Sequence, residues 1–263
     1  RPAPADFSAV RQVGRWRVDG YSAYCPRDTV FTVGSHAIET PMALRHRQDE
    51  ARVLRHIMPT VRAPLPQLLA RARAARDDAH GGRITFSPKV FIPLTMLCRD
   101  RCGYCTFAQP PARLTAPYLS ADEVLAIARA GAAAGCHEAL FTLGEGPEDR
   151  YPIAAEWLAA HGHSSTVDYL AAMCQLVLEE TGLLPHANAG ALSAADLATL
   201  RRVAPSQGMM IESLRDDLEC HRGAPDKAPA RRLATLEAAG ELGIAFTTGI
   251  LVGIGEGLAD RIS

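Results

Sequence analysis

The stretch TMLCRDRCGYCTF places Cys98, Cys102 and Cys105 in one short segment with C-x3-C-x2-C spacing. Thiolates are soft ligands suited to zinc and iron–sulfur clusters. Structural zinc normally takes four protein ligands, commonly as paired C-x2-C units. Cys136, Cys174 and Cys220 fall on or near predicted helices with no partner at ligand spacing, and read as small packed residues. A cubane cluster held by three cysteines leaves one iron without a protein ligand, free to bind a small molecule, whereas fully ligated clusters mostly transfer electrons. A zinc-binding or electron-transfer module stays open as the non-catalytic reading.

A chain of 263 residues with 48% hydrophobic and 22% charged residues can bury a large core. Its formal net charge of −1 gives no general attraction to nucleic acid or to an anionic membrane surface. The Arg-rich run LLARARAAR fits the polar face of an amphipathic helix. No apolar run reaches the roughly 18 to 20 residues needed to span a bilayer. Seven cysteines, an odd number with three close together, fit intracellular thiol or metal chemistry and a cytoplasmic location better than a disulfide framework.

Positioning these cysteines requires elements, and three regions can be distinguished. Residues 1–41 lack sustained periodicity and are expected to be a poorly structured or non-native extension. Residues 42–83 have a helical period through TPMALRHRQDEARVLRHIM and LPQLLARARAARDDAH, ended by Gly81-Gly82. From residue 84 to 263 strands and helices alternate. KVFIPLTML, EALFTL and GMMIES read as strands, LLPHANAG as a strand running into a loop and AFTTGILVGIGE as a strand leading into a Gly-rich turn. SADEVLAIARAGAAAGC, TVDYLAAMCQLVLEETG, SAADLATLRRV and APARRLATLEAAGELG read as helices, the first with a Ser120–Glu123 capping box. Short, almost wholly apolar strands between helices indicate a parallel sheet covered on both faces, as a barrel or an open sheet. Notable polar residues follow each strand: the cysteine loop; Gly144-Glu145; His186, Asn188 and Gly190; Glu212-Ser213; Gly253, Gly255 and Glu256. Sites of parallel α/β proteins assemble at the carboxyl ends of the strands. The Gly-rich GIGEG lacks the Lys-Ser/Thr of a phosphate-binding P-loop.

The cysteine spacing, with Tyr104 before the last cysteine, resembles the signature of radical S-adenosylmethionine (SAM) enzymes. That resemblance implies a [4Fe-4S] cluster on Cys98, Cys102 and Cys105, whose open iron chelates SAM and cleaves it to a 5′-deoxyadenosyl radical. It implies SAM contacts from Tyr104, from Gly144 and Glu145 toward the amino group, and from Asn188, Glu212 and Ser213. Arg232 would meet the SAM carboxylate, and Gly253 and Glu256 in GILVGIGE would lie along the adenine. His186, at an unperturbed pKa near 6.5, would suit a proton relay. Met209 and Met210 are expected in the core. The implied fold is a partial TIM-type barrel, (β/α)6 in the full protein, with about five units present and truncation before the sixth.

SPKVFIPLTMLCRDRCGYCTF, EALFTLGEGPE, TGLLPHANAG, APSQGMMIES and GAPDKAPARRLATLEAAGELGIAFTTGILVGIGE further resemble the CofG-type module of FO synthases, over about residues 84–260. FO is the deazaflavin 7,8-didemethyl-8-hydroxy-5-deazariboflavin of coenzyme F420 biosynthesis. The implied substrate is a tyrosine–diaminouracil adduct delivered by a CofH-type module, fused or separate, with an electron-donor protein supplying the reducing electron. The adduct would lose hydrogen to the radical and then ammonia on cyclisation. A CofH-type or menaquinone-pathway enzyme is the alternative within the same chemistry. The first 40 residues show no such resemblance, and the chain is expected to be a fragment with one open barrel edge.

Overall fold

The computed structural model describes residues 10–13, 16–19, 30–33, 36–39, 64–82, 86–257 and 260. The chain divides into two units, Arg1–Phe86 with Arg261–Ser263, and Ser87–Asp260. The first contains two antiparallel hairpins: β1 (Val10–Val13) with β2 (Trp16–Asp19), and β3 (Val30–Val33) with β4 (His36–Glu39). Both depart from the expectation of a poorly structured 1–41. The overlooked signal is the two pairs of short segments with strand-forming residues, VRQV with WRVD and VFTV with HAIE. Helix α1 (Leu65–His80) opens after Pro64 and closes at Gly81 with φ 59°, where glycine tolerates the positive angle. The helix expected over TPMALRHRQDEARVLRHIM lies outside the described residues.

Among the described residues of the second unit, five parallel strands form one sheet in chain order: β5 (Lys89–Thr95), β6 (Glu138–Leu143), β7 (Leu184–Asn188), β8 (Ser206–Gly208) and β9 (Ala245–Thr247). The crossovers carry α2 (Ala121–Ala133), α3 (Pro152–Ala160) with α4 (Thr166–Thr181), α5 (Ala194–Arg201) and α6 (Pro229–Glu241). Ser120 and Ser193 head complete capping boxes, and Gly182 ends α4 at φ 69°. β8 is the main correction. GMMIES is not a strand beyond Gly208, because the chain leaves the ladder at Met209 and rejoins it only at a single Glu212–Ile250 bridge. Helix α3 was also unanticipated.

Because side chains alternate along a strand, each strand serves two environments. Ile92 and Leu94 of β5, Ala139 and Phe141 of β6 and Ala187 of β7 pack into a core with Val124 and Ala128 of α2 and Leu170 and Val177 of α4. The intervening positions, Leu140, Thr142, His186 and Asn188, lie on the opposite face, with His186 flanked by Leu140 and Ser206. No helix of the described residues is long and apolar enough to cross a membrane. Phe141 is fully buried at the centre of this packing, so Phe141→Ala is expected to lower unfolding stability by about 3–5 kcal/mol, read from the midpoint of a urea titration.

Candidate cofactor site at the strand ends

The cysteine loop begins where Thr95, at the end of β5, turns the chain. Its hydroxyl donates to Pro117 O at 2.7 Å and accepts from Leu97 N–H at 3.1 Å. Cys98 is then stapled to the end of β6: Glu145 N–H donates to Cys98 Sγ at 3.3 Å, and Arg99 N–H to Glu145 O at 2.9 Å. This contact requires Gly144. A Cβ there would stand 1.9 Å from Leu97 O and 2.6 Å from Cys98 Cβ. Cys105 N–H donates to Cys102 O at 3.1 Å, closing the loop on itself. Burial pushes Cys102 up to about 12 and raises Cys98 above its ordinary value. Both are thus thiols at neutral pH, and a bound metal would displace their protons.

A largely buried ionic network lies beside the loop. Arg232, 1% exposed, donates from Nη2 to Glu145 Oε1 at 2.5 Å, from Nε to Asp226 O at 2.9 Å, and from Nη1 to Met210 O. The second Glu145 oxygen accepts from Ala191 N–H at 3.1 Å. Burial raises the Glu145 carboxyl, opposed by Arg232 and by the Ala191 N–H. Gly190, at φ 79°, allows this approach, since a Cβ would fall 2.1 Å from Glu145 Cδ. The Arg232 guanidinium is thus enclosed and engaged inside the protein. Carboxylate oxygens of Asp100, Glu145 and Asp226 lie within 4.8 Å of one another. Asp100 is 4% exposed, and its Oδ2 has no hydrogen-bond partner among the described residues.

The other expected residues separate into those near the loop and one apart from it. Tyr104 OH lies 3.4 Å from His221 Nε2, and burial raises its phenol, with Glu212 and Cys102 contributing in the same direction. Glu212 has φ 65°, a left-handed conformation unusual for a residue other than glycine, and accepts from Lys227 Nζ at 2.9 Å. Ser213, also buried, accepts from Arg215 N–H at 3.2 Å. The Glu256 carboxylate accepts from Gly253 N–H and Ile254 N–H, both at 2.8 Å, and so closes its own turn. Asn188 ends β7 opposite Thr142 and is half-buried. His186 lies inside β7 rather than after it, sharing a 2.7 Å hydrogen bond with Ser206 Oγ through Nδ1. Burial lowers its pKa to about 4. Arg99, Asp100, Asp226, Lys227 and His221 were not anticipated. Their signal was the charge density of RDR between the cysteines and of DK before α6. Met209 is in the core as expected, at 1% exposed.

The donor set fits a cluster: three thiols on one loop, one already receiving a backbone N–H, in a cradle that depends on Gly144. The orphaned Asp100 oxygen beside Glu145 fits a cationic group such as an ammonium. Gly144→Ala is expected to displace Cys98 and weaken iron retention about 10- to 100-fold, the usual effect of losing an outer-shell support, measured as iron per chain after anaerobic reconstitution and desalting. His186 gives a second test. Its pKa falls from 6.5 unfolded to about 4 folded, so its stabilising effect is complete above 6.5 and is lost as the pH falls toward 4. The loss amounts to roughly 3 kcal/mol at most, at 1.36 kcal/mol per pKa unit. His186→Gln should flatten that part of a urea-stability profile between pH 7 and 4.

Comparison with known proteins agrees with this geometry. The Radical SAM superfamily model matches residues 92–263. The chain is 54% identical to an FO synthase of Nocardia farcinica over 99% of its own length and 29% of that protein. That match includes the N-terminal region, which the sequence reading left without family resemblance. A 7,8-didemethyl-8-hydroxy-5-deazariboflavin synthase of Methanopyrus kandleri is 48% identical over 68% of this chain and 55% of that one. The chain thus spans under a third of the first relative and about half of the second. Among solved structures, the FeFe-hydrogenase maturase HydG from Carboxydothermus hydrogenoformans superposes with a TM-score of 0.61 at 25% identity, covering 74% of this chain and 43% of that one. Methylornithine synthase (PylB) superposes at 0.56 with 22% identity, over 74% and 52% of the two chains, a likeness of fold. The chain belongs to the radical SAM superfamily, and membership implies an iron–sulfur cluster and SAM.

Proposed function

We propose that this chain carries the radical SAM module that closes the deazaflavin ring of FO, converting the tyrosine–diaminouracil adduct to FO with loss of ammonia. The observation that carries this reading is the 48% identity to the Methanopyrus kandleri synthase, named for that product. Cys98, Cys102 and Cys105 hold the cluster. When bound, cluster and SAM supply a 5′-deoxyadenosyl radical able to abstract hydrogen from the substrate.

In this reading the protein's own residues bind and orient. Asp100 and Glu145 offer carboxylate oxygens to the SAM ammonium, and the enclosed Arg232 keeps Glu145 aimed by ion-pairing with it. Tyr104, Glu212, Ser213, Asn188, Gly253 and Glu256 stand on the loops that follow the strands and border the cofactor. His186 stays neutral at physiological pH and shapes the inner face of the sheet with Ser206, without a proton-transfer role. The partners are the module that makes the adduct and an electron-donor protein.

The test uses the complete reading frame, reconstituted anaerobically with iron and sulfide and given SAM, a reductant and the adduct. 5′-Deoxyadenosine and fluorescent FO should both form, and both should vanish in Cys102→Ala. Deoxyadenosine without FO would point to another substrate, and stoichiometric zinc without iron would overturn the reading.

A further inference from the structure

Each of the five residues between the three cysteines bonds to one short segment, residues 220–226, more than a hundred positions later. Arg99 grips Asp226 with two prongs, Nε to Oδ2 and Nη2 to Oδ1, both 2.5 Å. Asp100 Oδ1 accepts from Asp226 N–H at 3.2 Å. Arg101 N–H donates to Gly223 O at 3.0 Å and Gly103 N–H to Cys220 O at 2.7 Å. Tyr104 meets His221 through its hydroxyl and ring, the centroids 5.8 Å apart. Gly103 suits its place, because a Cβ there would lie 3.3 Å from Cys220 Cα. The segment is fixed in turn: Asp226 is 1% exposed, pairs with Arg231 at 2.8 Å, and gives its carbonyl to Arg232.

We propose that residues 220–226 are a template that sets the shape of the cysteine loop, and that Asp226 is a positioning residue for cluster binding, acting through Arg99 and Asp100. The inference rests on the family reading of the three cysteines as ligands. The physical argument is entropic. A ligand loop without regular structure loses conformational entropy at every residue when it is ordered. Here protein contacts order the loop backbone before metal arrives. Asp226 also fixes the Arg99 side chain through both of its carboxylate oxygens. Released, that guanidinium would leave Asp100 and its neighbours without their fixed geometry.

The experiment compares Asp226→Asn, Arg99→Gln, the double variant and Asp149→Asn in the full-length polypeptide after anaerobic reconstitution. Asp149 binds the outer side of Arg99 and is more than half exposed, so its variant is the control. The readouts are the rate of iron transfer to a chelator, the electron paramagnetic resonance spectrum of the reduced cluster, and circular dichroism of the metal-free protein. Asp226→Asn and Arg99→Gln should each speed iron loss about 10- to 100-fold, as outer-shell losses do, and alter the resonance. The double variant should be no worse than either single one, with circular dichroism and the control unchanged. If Asp226→Asn does not fold, Arg99→Gln decides by the same measures. Iron loss at the wild-type rate in the folded variants, or effects that simply multiply in the double variant, would overturn the template. A wild-type protein that binds no iron would overturn the ligand reading beneath it.

Discussion

Arg232 is the interaction on which the site depends. A guanidinium that is always charged and nearly inaccessible to water carries a large desolvation cost, and it persists only because its donors are matched by Glu145, Asp226 O and Met210 O. Those acceptors come from the end of β6, the turn before α6 and the chain leaving β8. One side chain on the first turn of α6 therefore fixes three separate segments. Removing it would leave the Glu145 carboxylate buried without its cation, whereas removing a surface arginine would change little.

The division of labour follows from this. One face of the sheet is an apolar core shared with the helices, and the loops beyond its carboxyl ends are shaped by charge and by close backbone approach. Glycines at 103, 144 and 190 stand where a Cβ would press on Cys220, on Leu97 and Cys98, or on Glu145. They are steric permissions rather than flexible joints. The strained backbone at Glu212 is held by the Glu212–Ile250 bridge and the Lys227 ion pair.

Where local chemistry decides structure, the sequence was legible. EALFTL coincides with β6, and LPQLLARARAARDDAH with α1, because a strand-like apolar run in the one and a helical period closed by Gly81 in the other agree with the fold. The three cysteines were legible as a set for the same reason. GMMIES failed because an apolar, β-compatible run left the ladder to bring Met210 O and Glu212 to buried cations, a tertiary demand with no local signature. The sequence shows the type of Arg232 but not its enclosure. Nor does it show that burial, beside Ser206, lowers the basicity of His186.

The contacts between the cysteine loop and residues 220–226 also impose an order in time. Arg99 and Asp226 are 127 positions apart, and at about 5–20 residues per second a ribosome needs roughly 6–25 s to bridge that interval. Throughout it the nascent chain exposes three unclaimed thiols whose partners have not yet been made. The template for the loop exists only once residues 220–226 have been made. Oxygen and stray soft metals compete for the sulfurs during that interval, before the fold can shield them.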